Sequence, residues 1–575
     1  MAMCRRDFNR PNEIQDIFQG NSMFKSIFPK PIFFIGALAM LIAIFVSSES
    51  LIAFLRAGTA TDPLLTGATI FRAMLGILGA AICALALVPF WKITSLDSSP
   101  VRDQLSAAIL AALLIVATAL RLYALDAGLW LDEIITNVLY ARLPFGTIIT
   151  TFDSENQHFL YSILAQASFL VFGDSAWSLR LPAVLFGIAS IWAMYLLGRE
   201  AASSREGLLA AALLTFSYTH IWFSQNARGY SGLLFWTTFS SWLLLRALRE
   251  NTPRLWIFFA IAAALGVYTH ITMVFVIAGQ FFVYAWTLIA RRNARWENRW
   301  AGFVLGFCGA GLLTLFLHAL VLPQLLGGMG REASVVAEWK NPLWTIIEIA
   351  RGLQVSFAGG IVALGALVVF GAGIASFARS KPEIILLLIL PPIIGAAVVV
   401  GLGHHLWPRF FFFAMGLGAL VAMRGAMAWG RFAARIVRLT WLPAERAGTL
   451  VCLALIAVSA LSVPLAYGPK QDYAGAMQFV EANRQPGDAI VITDLTVFPY
   501  KNYYRRDYHV VENARALDSL RAHSKRTWLL YTFPPVLESV HPDVFASVQR
   551  DFQIIKAFGG TVGGGTIFVT RADAK

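Results

Sequence analysis

The sequence predicts a polytopic α-helical membrane protein of about thirteen spans with a small α/β domain at its C-terminal end. Three observations predict it. Hydrophobic residues make up 58% of the 575 residues and charged ones 14%, and the mean hydropathy of +0.65 describes a chain that would aggregate as a water-exposed globule. Long apolar runs with few internal charges recur along most of the chain. After Tyr467 the composition changes, and short β-like runs begin to alternate with helical ones.

Residues 1–30 are polar and mixed in charge, too long for the short basic lead of a secretory signal. They are expected to be a cytoplasmic segment before an uncleaved signal-anchor at 31–55. Further apolar windows lie near 68–91, 105–125, 177–197, 207–223, 231–248, 255–270, 271–290, 301–322, 356–377, 383–401, 406–426 and 447–467. Most of them reach the roughly 17–25 residues that cross a bilayer. The long run 255–290 is divided at Tyr268-Thr269-His270. This makes 31–467 one transmembrane domain, with a first large outer loop at about 126–176.

The net charge of +13 sits mainly on alternate loops, for example Arg291, Arg292, Arg295 and Arg299. A cytoplasmic N-terminus puts those loops inside, as the positive-inside rule requires. With an odd number of spans, the loop after residue 125 and the tail 468–575 then face outward. The charge is therefore topology. It argues for contact with anionic membrane lipid and against a nucleic-acid partner. Cys4, Cys83, Cys308 and Cys452 are isolated and lack disulfide or metal spacing.

The tail opens with a break at Gly468-Pro469-Lys470. Helical stretches are predicted at Ala474–Asn483, Ala514–Ala522 and Pro535–Gln549. Strands are predicted at Ala489–Ile492, Tyr508–Val511, Trp528–Tyr531 and Ile567–Thr570. The glycine run Gly559–Gly565 precedes a strand, which favours a hairpin turn over a nucleotide loop.

Candidate chemistry gathers on the outer side. Asp132 and Glu133 follow an apolar span directly, and Asp153, Glu155 and His158 come on the same loop. Carboxylates are costly near hydrocarbon, so a cluster of them at the rim of so apolar a chain marks a site. Their plain alternative is helix capping, with Asp132 capping a helix at Ile134–Ala141 and Glu133 favouring its positive end. A transferase on this face lacks ATP and nucleotide sugars, so its activated donor must arrive on lipid. It needs a base for the acceptor hydroxyl, which Asp132 and Glu133 can supply, and cations for the leaving phosphate. Three outer hairpins carry polar or cationic groups, at Arg228 with Tyr230, at His270, and at His404-His405 with Arg409. An arginine alone could simply snorkel to the interface, but an arginine also binds phosphate through paired, permanently charged contacts. The acids and His158 could bind acceptor or a divalent cation. No ligand spacing fixes a metal, and no cofactor is certain.

The order of motifs is Leu129-Trp130-Leu131-Asp132-Glu133, Asn156-Gln157-His158-Phe159-Leu160-Tyr161, Phe172-Gly173-Asp174-Ser175, Leu179-Arg180-Leu181-Pro182 and Ser224-Gln225-Asn226-Ala227-Arg228-Gly229-Tyr230. Together they resemble the GT-C membrane glycosyltransferases, in the protein O-mannosyltransferase-like branch with the lipid A aminoarabinose and galacturonic acid transferases. The resemblance is closest over about 120–290. It implies a GT-C-like fold in a bacterial inner membrane, and inverting transfer from a polyprenyl-phosphate-linked sugar to a periplasmic acceptor (lipid A, polysaccharide or protein). It implies Asp132 as base, with Glu133 or Glu155 orienting acceptor beside Asp153 and His158. Arg228, Tyr230 and Arg409, and more weakly His270, are implied at the donor phosphate. The chain departs from the branch where His-Pro-Pro-Leu-Tyr becomes His158-Phe159-Leu160-Tyr161, and where Asn226 replaces a glutamate. The rival reading is a transporter or flippase of lipid-linked sugar. Such proteins usually pair broken helices in repeated halves, and this sequence has no corresponding halves.

Overall fold

The structure is a computed structural model that describes residues 29–56, 61–87, 104–290, 299–328, 336, 339, 341–356, 359–437 and 441–573. The expected cytoplasmic segment 1–30 lies, up to residue 28, outside the described residues, as do Cys4 and Arg291, Arg292 and Arg295. The chain divides into two compact units, Met1–Pro100 with Leu315–Pro323 and Val101–Thr314 with Gln324–Lys575.

In the first unit the helices Pro29–Phe45 and Asp62–Leu87 run against each other. Gly36 and Gly79 permit the approach, because a Cβ on Gly36 would lie 2.6 Å from the Gly79 carbonyl oxygen. The expected span 31–55 is bent by 106°. Ser47 restarts the chain as N-cap of Ser48–Leu55, its Oγ accepting from Ser50 N at 3.1 Å. Arg72 donates to the orphaned carbonyls of Ala43 and Ile44 at the end of the first helix.

All thirteen apolar windows fall on helices, but not all are single spans. Eight described helices are long and apolar enough to cross a membrane, or up to eleven if each bent pair is one span. The other two windows are Tyr230–Glu250, rich in buried Ser and Thr, and the short Pro253–Thr269. The division at Tyr268-Thr269-His270 is correct, since the next helix starts at Met273. The window 207–223 is bent by 66° where Ser217 caps Tyr218–Ser224. In the second unit, Gly360–Ser380 and Met415–Ile436 pack closely: a Cβ on Gly425 would collide with the Val369 carbonyl, and one on Gly373 with that of Val421. The helix expected after Asp132 begins at Leu131, three residues earlier than expected, and ends in the π-turn Asn137–Ala141.

The C-terminal sheet contains β1 Ala489–Ile492, β2 His509–Val510, β3 Arg526–Thr532, β4 Gln553–Phe558 and β5 Ile567–Asp573. Its order is β2-β1-β3-β5-β4, with β1 parallel to β2 and β3, and β5 antiparallel to β3 and β4. The glycine run joins β4 to β5 as a hairpin, as expected. Strand β4 was not legible, because it is an exposed edge bulged between Ile554 and Lys556, with no alternating apolar face. The expected helix at 535–549 is two helices, Pro534–Val540 and Pro542–Asp551, because Pro542 disfavours helical backbone at His541.

The close helix approach yields a prediction. Gly425→Leu should overpack that crossing at a cost of about 1–3 kcal/mol, read as a lower Tm of the purified chain, whereas the same change at Gly365, which has open space around it, should not.

Candidate functional site

The site is built around a buried ion pair. Arg180 projects from the first turns of Ala176–Ala201, a helix started by Ser175, whose Oγ accepts from Ser178 N. Its guanidinium donates to the carbonyls of Leu125 (2.8 Å), Ala127 (2.7 Å) and Gly128 (3.0 Å), so it folds the chain just before Asp132 around itself. It also grips Glu133 bidentately, Nε to Oε1 at 2.8 Å and Nη2 to Oε2 at 2.6 Å. Both side chains are buried, Glu133 with 0% exposure. Glu133 further accepts from Ala227 N at 2.8 Å and from Trp130 N at 3.4 Å. Burial by itself raises the Glu133 carboxyl, but Arg180 and then Lys470 outweigh it and hold the group below the ordinary carboxylate value.

Asp132 is the preceding residue on the same helical turn and faces elsewhere. It keeps 16% exposure and pairs with Arg228 Nη1 at 2.5 Å, with Arg409 Nη1 at 3.8 Å. Adjacent carboxylates therefore sit in opposite situations. Glu133 has its acceptor sites filled by the protein, while Asp132 looks outward between two guanidiniums.

The loop 225–229 is fixed by short bonds. Gln225 donates to the carbonyls of Arg121 (3.0 Å) and Tyr123 (2.6 Å), and Asn226 accepts from Trp130 Nε1 at 3.3 Å. Glycine is required at 229 because a Cβ would collide with the Thr269 carbonyl and press on the His158 ring. Behind Arg228 the rings of His158 and His270 stack at 4.6 Å, and Tyr230 lies 4.8 Å from His270. His270 Nδ1 is held by Thr272 Oγ1 at 2.9 Å. Arg409 lies over the Trp407 ring, 4.6 Å from its centroid, and bonds the Tyr230 side chain. Among the described residues, Arg228 Nε, Arg409 Nε, His158 Nε2 and Asn226 Nδ2 are buried without a hydrogen-bond partner. Unsatisfied buried nitrogens gathered around cationic groups suit an anionic oxygen ligand.

Thus the fold brings Asp132, Arg228, Tyr230, His158, His270 and Arg409 together. Asp153 and Glu155 stand at the edge. Asp153 is exposed and accepts from the Tyr140 hydroxyl at 2.5 Å, and Glu155 is 71% exposed with its carboxylate 3.9 Å from His404 Nδ1. Burial, and then the bond to Asp153, pushes the Tyr140 phenol up. Asn156 sits nearer the centre, donating to the Asp132 carbonyl at 3.1 Å. Among the described residues, no three or more His, Cys, Asp or Glu are grouped to hold a metal ion. Sequence reasoning assigned no role to Arg180, Lys470 or Gln471. Arg180 did carry a signal, as a cation just inside an apolar span.

The buried pair generates the next prediction. Arg180→Met leaves Glu133 charged and buried, which should cost about 3–5 kcal/mol. The folded value of Glu133 lies below the unfolded one, so its stabilisation is complete above pH 4.5 and is lost as pH falls through the lower folded value. Melting temperatures measured from pH 7 downward should show this acid limb in the parent chain and a flatter one in Glu133→Gln.

Residues 156–321 match the family model described as dolichyl-phosphate-mannose-protein mannosyltransferase. That segment contains His158, Arg180, Arg228, Tyr230 and His270. No curated protein sequence matches the chain. Among solved structures, the apo oligosaccharyltransferase of Archaeoglobus fulgidus is similar with a TM-score of 0.51 at 12% identity, over 82% of this chain and 76% of that one. ArnT from Cupriavidus metallidurans in the apo state gives a TM-score of 0.47 at 12% identity, over 81% of this chain and 98% of that one. Arabinosyltransferase EmbB from Mycobacterium smegmatis gives 0.41 at 14%, over 72% and 47%. The likeness expected from the motif order is borne out: the chain is a mostly helical, multi-pass membrane protein with a GT-C-like fold and a small C-terminal sheet domain.

Proposed function

We propose that the chain is an inverting glycosyltransferase that moves a sugar from a polyprenyl-phosphate donor to an acceptor hydroxyl of the cell envelope. The observation that carries this reading is Asp132 held between Arg228 and Arg409, whose buried Nε atoms lack protein partners. The family model over 156–321 supports a lipid-phosphate-linked donor. The basic excess on alternate loops supports a site on the periplasmic face of a bacterial inner membrane.

In this mechanism Asp132 takes the proton of the acceptor hydroxyl as that oxygen bonds to the anomeric carbon. The bond from that carbon to the phosphate oxygen breaks from the opposite side, which inverts the configuration. The electron pair leaves with the polyprenyl phosphate, whose charge Arg228 and Arg409 take up, with Tyr230 and His270 packed behind them. Glu133 and Arg180 act through position, fixing the helix that carries Asp132 and the loop that carries Arg228. Asp153 and Glu155, at the edge of the site, are assigned to the acceptor, and His158, stacked on His270, stands between them and the donor-binding groups. The acceptor is an envelope lipid, glycan or protein.

Mass spectrometry of envelope glycolipids and glycoproteins tests this in cells with the parent chain, no chain, or Asp132→Asn. One glycan should lose a single sugar in both defective strains while the lipid-linked sugar accumulates. Loss of a general base should lower transfer by about 10²- to 10⁴-fold. Full glycosylation by Asp132→Asn would remove Asp132 as the base and favour transport of the lipid-linked sugar. With purified protein, Arg228→Ala should weaken undecaprenyl phosphate binding by about tenfold or more, whereas Asp132→Asn should not.

A further inference from the structure

The helix that carries Asp132 begins at a residue that cannot cap it. Its N-cap is Trp130, whose side chain offers no acceptor to the free N–H groups of the first turn. The acceptor for Leu131 N comes from 340 residues away: Gln471 Oε1, at 3.1 Å. The adjacent residue, Lys470, reaches the other half of the site, its Nζ donating to the Gln225 carbonyl at 2.9 Å, three residues before Arg228. Both side chains are buried.

The same short stretch is held from its far side by the glycine-rich hairpin between β4 and β5. Thr561 N donates to the Pro469 carbonyl at 2.9 Å and Val562 N to that of Lys470 at 3.1 Å. Gln471 Nε2 donates to the Gly565 carbonyl at 3.4 Å and to Thr532 Oγ1 at 3.5 Å. A Cβ on Gly560 would collide with the Lys470 carbonyl, which accounts for glycine there. The hairpin also bonds the membrane domain directly, Trp222 Nε1 donating to Thr561 Oγ1 at 2.7 Å.

We propose that Pro469-Lys470-Gln471 is a positioning strap by which the C-terminal domain sets the geometry of the catalytic pair, with Gln471 the positioning residue for Asp132. This rests on the transferase reading of the site. The strap is anchored on one side to the sheet and on the other to the residues flanking Asp132 and Arg228. A shift at the sheet is thereby carried into the separation of base and phosphate-binding arginine. The C-terminal domain is in this account part of the active-site frame.

The test uses the full chain in lipid nanodiscs and as the sole copy in cells. Gln471→Met keeps length and removes both amide functions. Hydrogen exchange at the peptide containing Leu131 should accelerate about tenfold or more. Sugar transfer to the envelope glycan should fall about 10- to 100-fold, as expected of a misplaced catalytic group. Undecaprenyl phosphate should bind with a Kd within about twofold of the parent, since Arg228 and Arg409 stay in place. Thr532→Val removes one sheet-side anchor and keeps the acceptor for Leu131, so it should lower transfer and Leu131 protection in the same direction as Gln471→Met but by a smaller factor. Unchanged exchange and transfer in Gln471→Met would overturn the proposal. So would equal loss of phosphate binding, transfer and Tm, which marks general loosening. If Asp132→Asn transfers normally, the assignment of Asp132 as base fails, and the Leu131 exchange rate still decides whether the strap holds that turn.

Discussion

The buried pair of Glu133 and Arg180 is the constraint on which the site depends. An uncompensated charge there would cost several kcal/mol, so neither residue can be lost alone. Each remaining polar atom is used for placement. Arg180 draws three carbonyls of 125–128 around it, and Glu133 takes the backbone N–H of Ala227. One ion pair therefore ties residues 125–128, the turn bearing Asp132 and the loop bearing Arg228 to the single helix Ala176–Ala201. With those three segments fixed, Asp132 and Arg228 meet without further adjustment.

The division of labour between the two acids follows from that arrangement. Successive residues on a helix point about 100° apart, so Glu133 turns into the protein while Asp132 turns toward Arg228 and Arg409. In sequence they are equivalent, and either could be the base. The difference comes from Arg180, 47 residues away in the chain. The aromatic groups behind Arg228 give the site a stiff wall, with His158, His270 and Tyr230 packed ring against ring.

Much of this was legible from composition and local pattern. Apolar length placed the helices, and the break at Tyr268-Thr269-His270 fell where the chain turns. Arg228 and Arg409, expected on the same face as the Asp132 loop, lie against Asp132, and His270 stacks on His158 of that loop. Bends were not legible at Ser47 and Ser217, since a serine N-cap inside an apolar run looks like any small polar residue. Strand β4 lacked an alternating face, and Pro542 divided a helix read as one. Gln471 was invisible for a deeper reason. Its partner Leu131 is a backbone N–H, and nothing local at either end records a bond spanning 340 residues.

The proposed function requires that the site beside Asp132 receive the phosphate of a lipid-linked donor. The most direct measurement is a cryo-EM structure of the full chain in nanodiscs with undecaprenyl phosphate. Phosphate density is expected within hydrogen-bonding distance of both Arg228 and Arg409, with the Asp132 carboxylate released toward the acceptor. Phosphate bound elsewhere, with Asp132 still locked to Arg228, would contradict it.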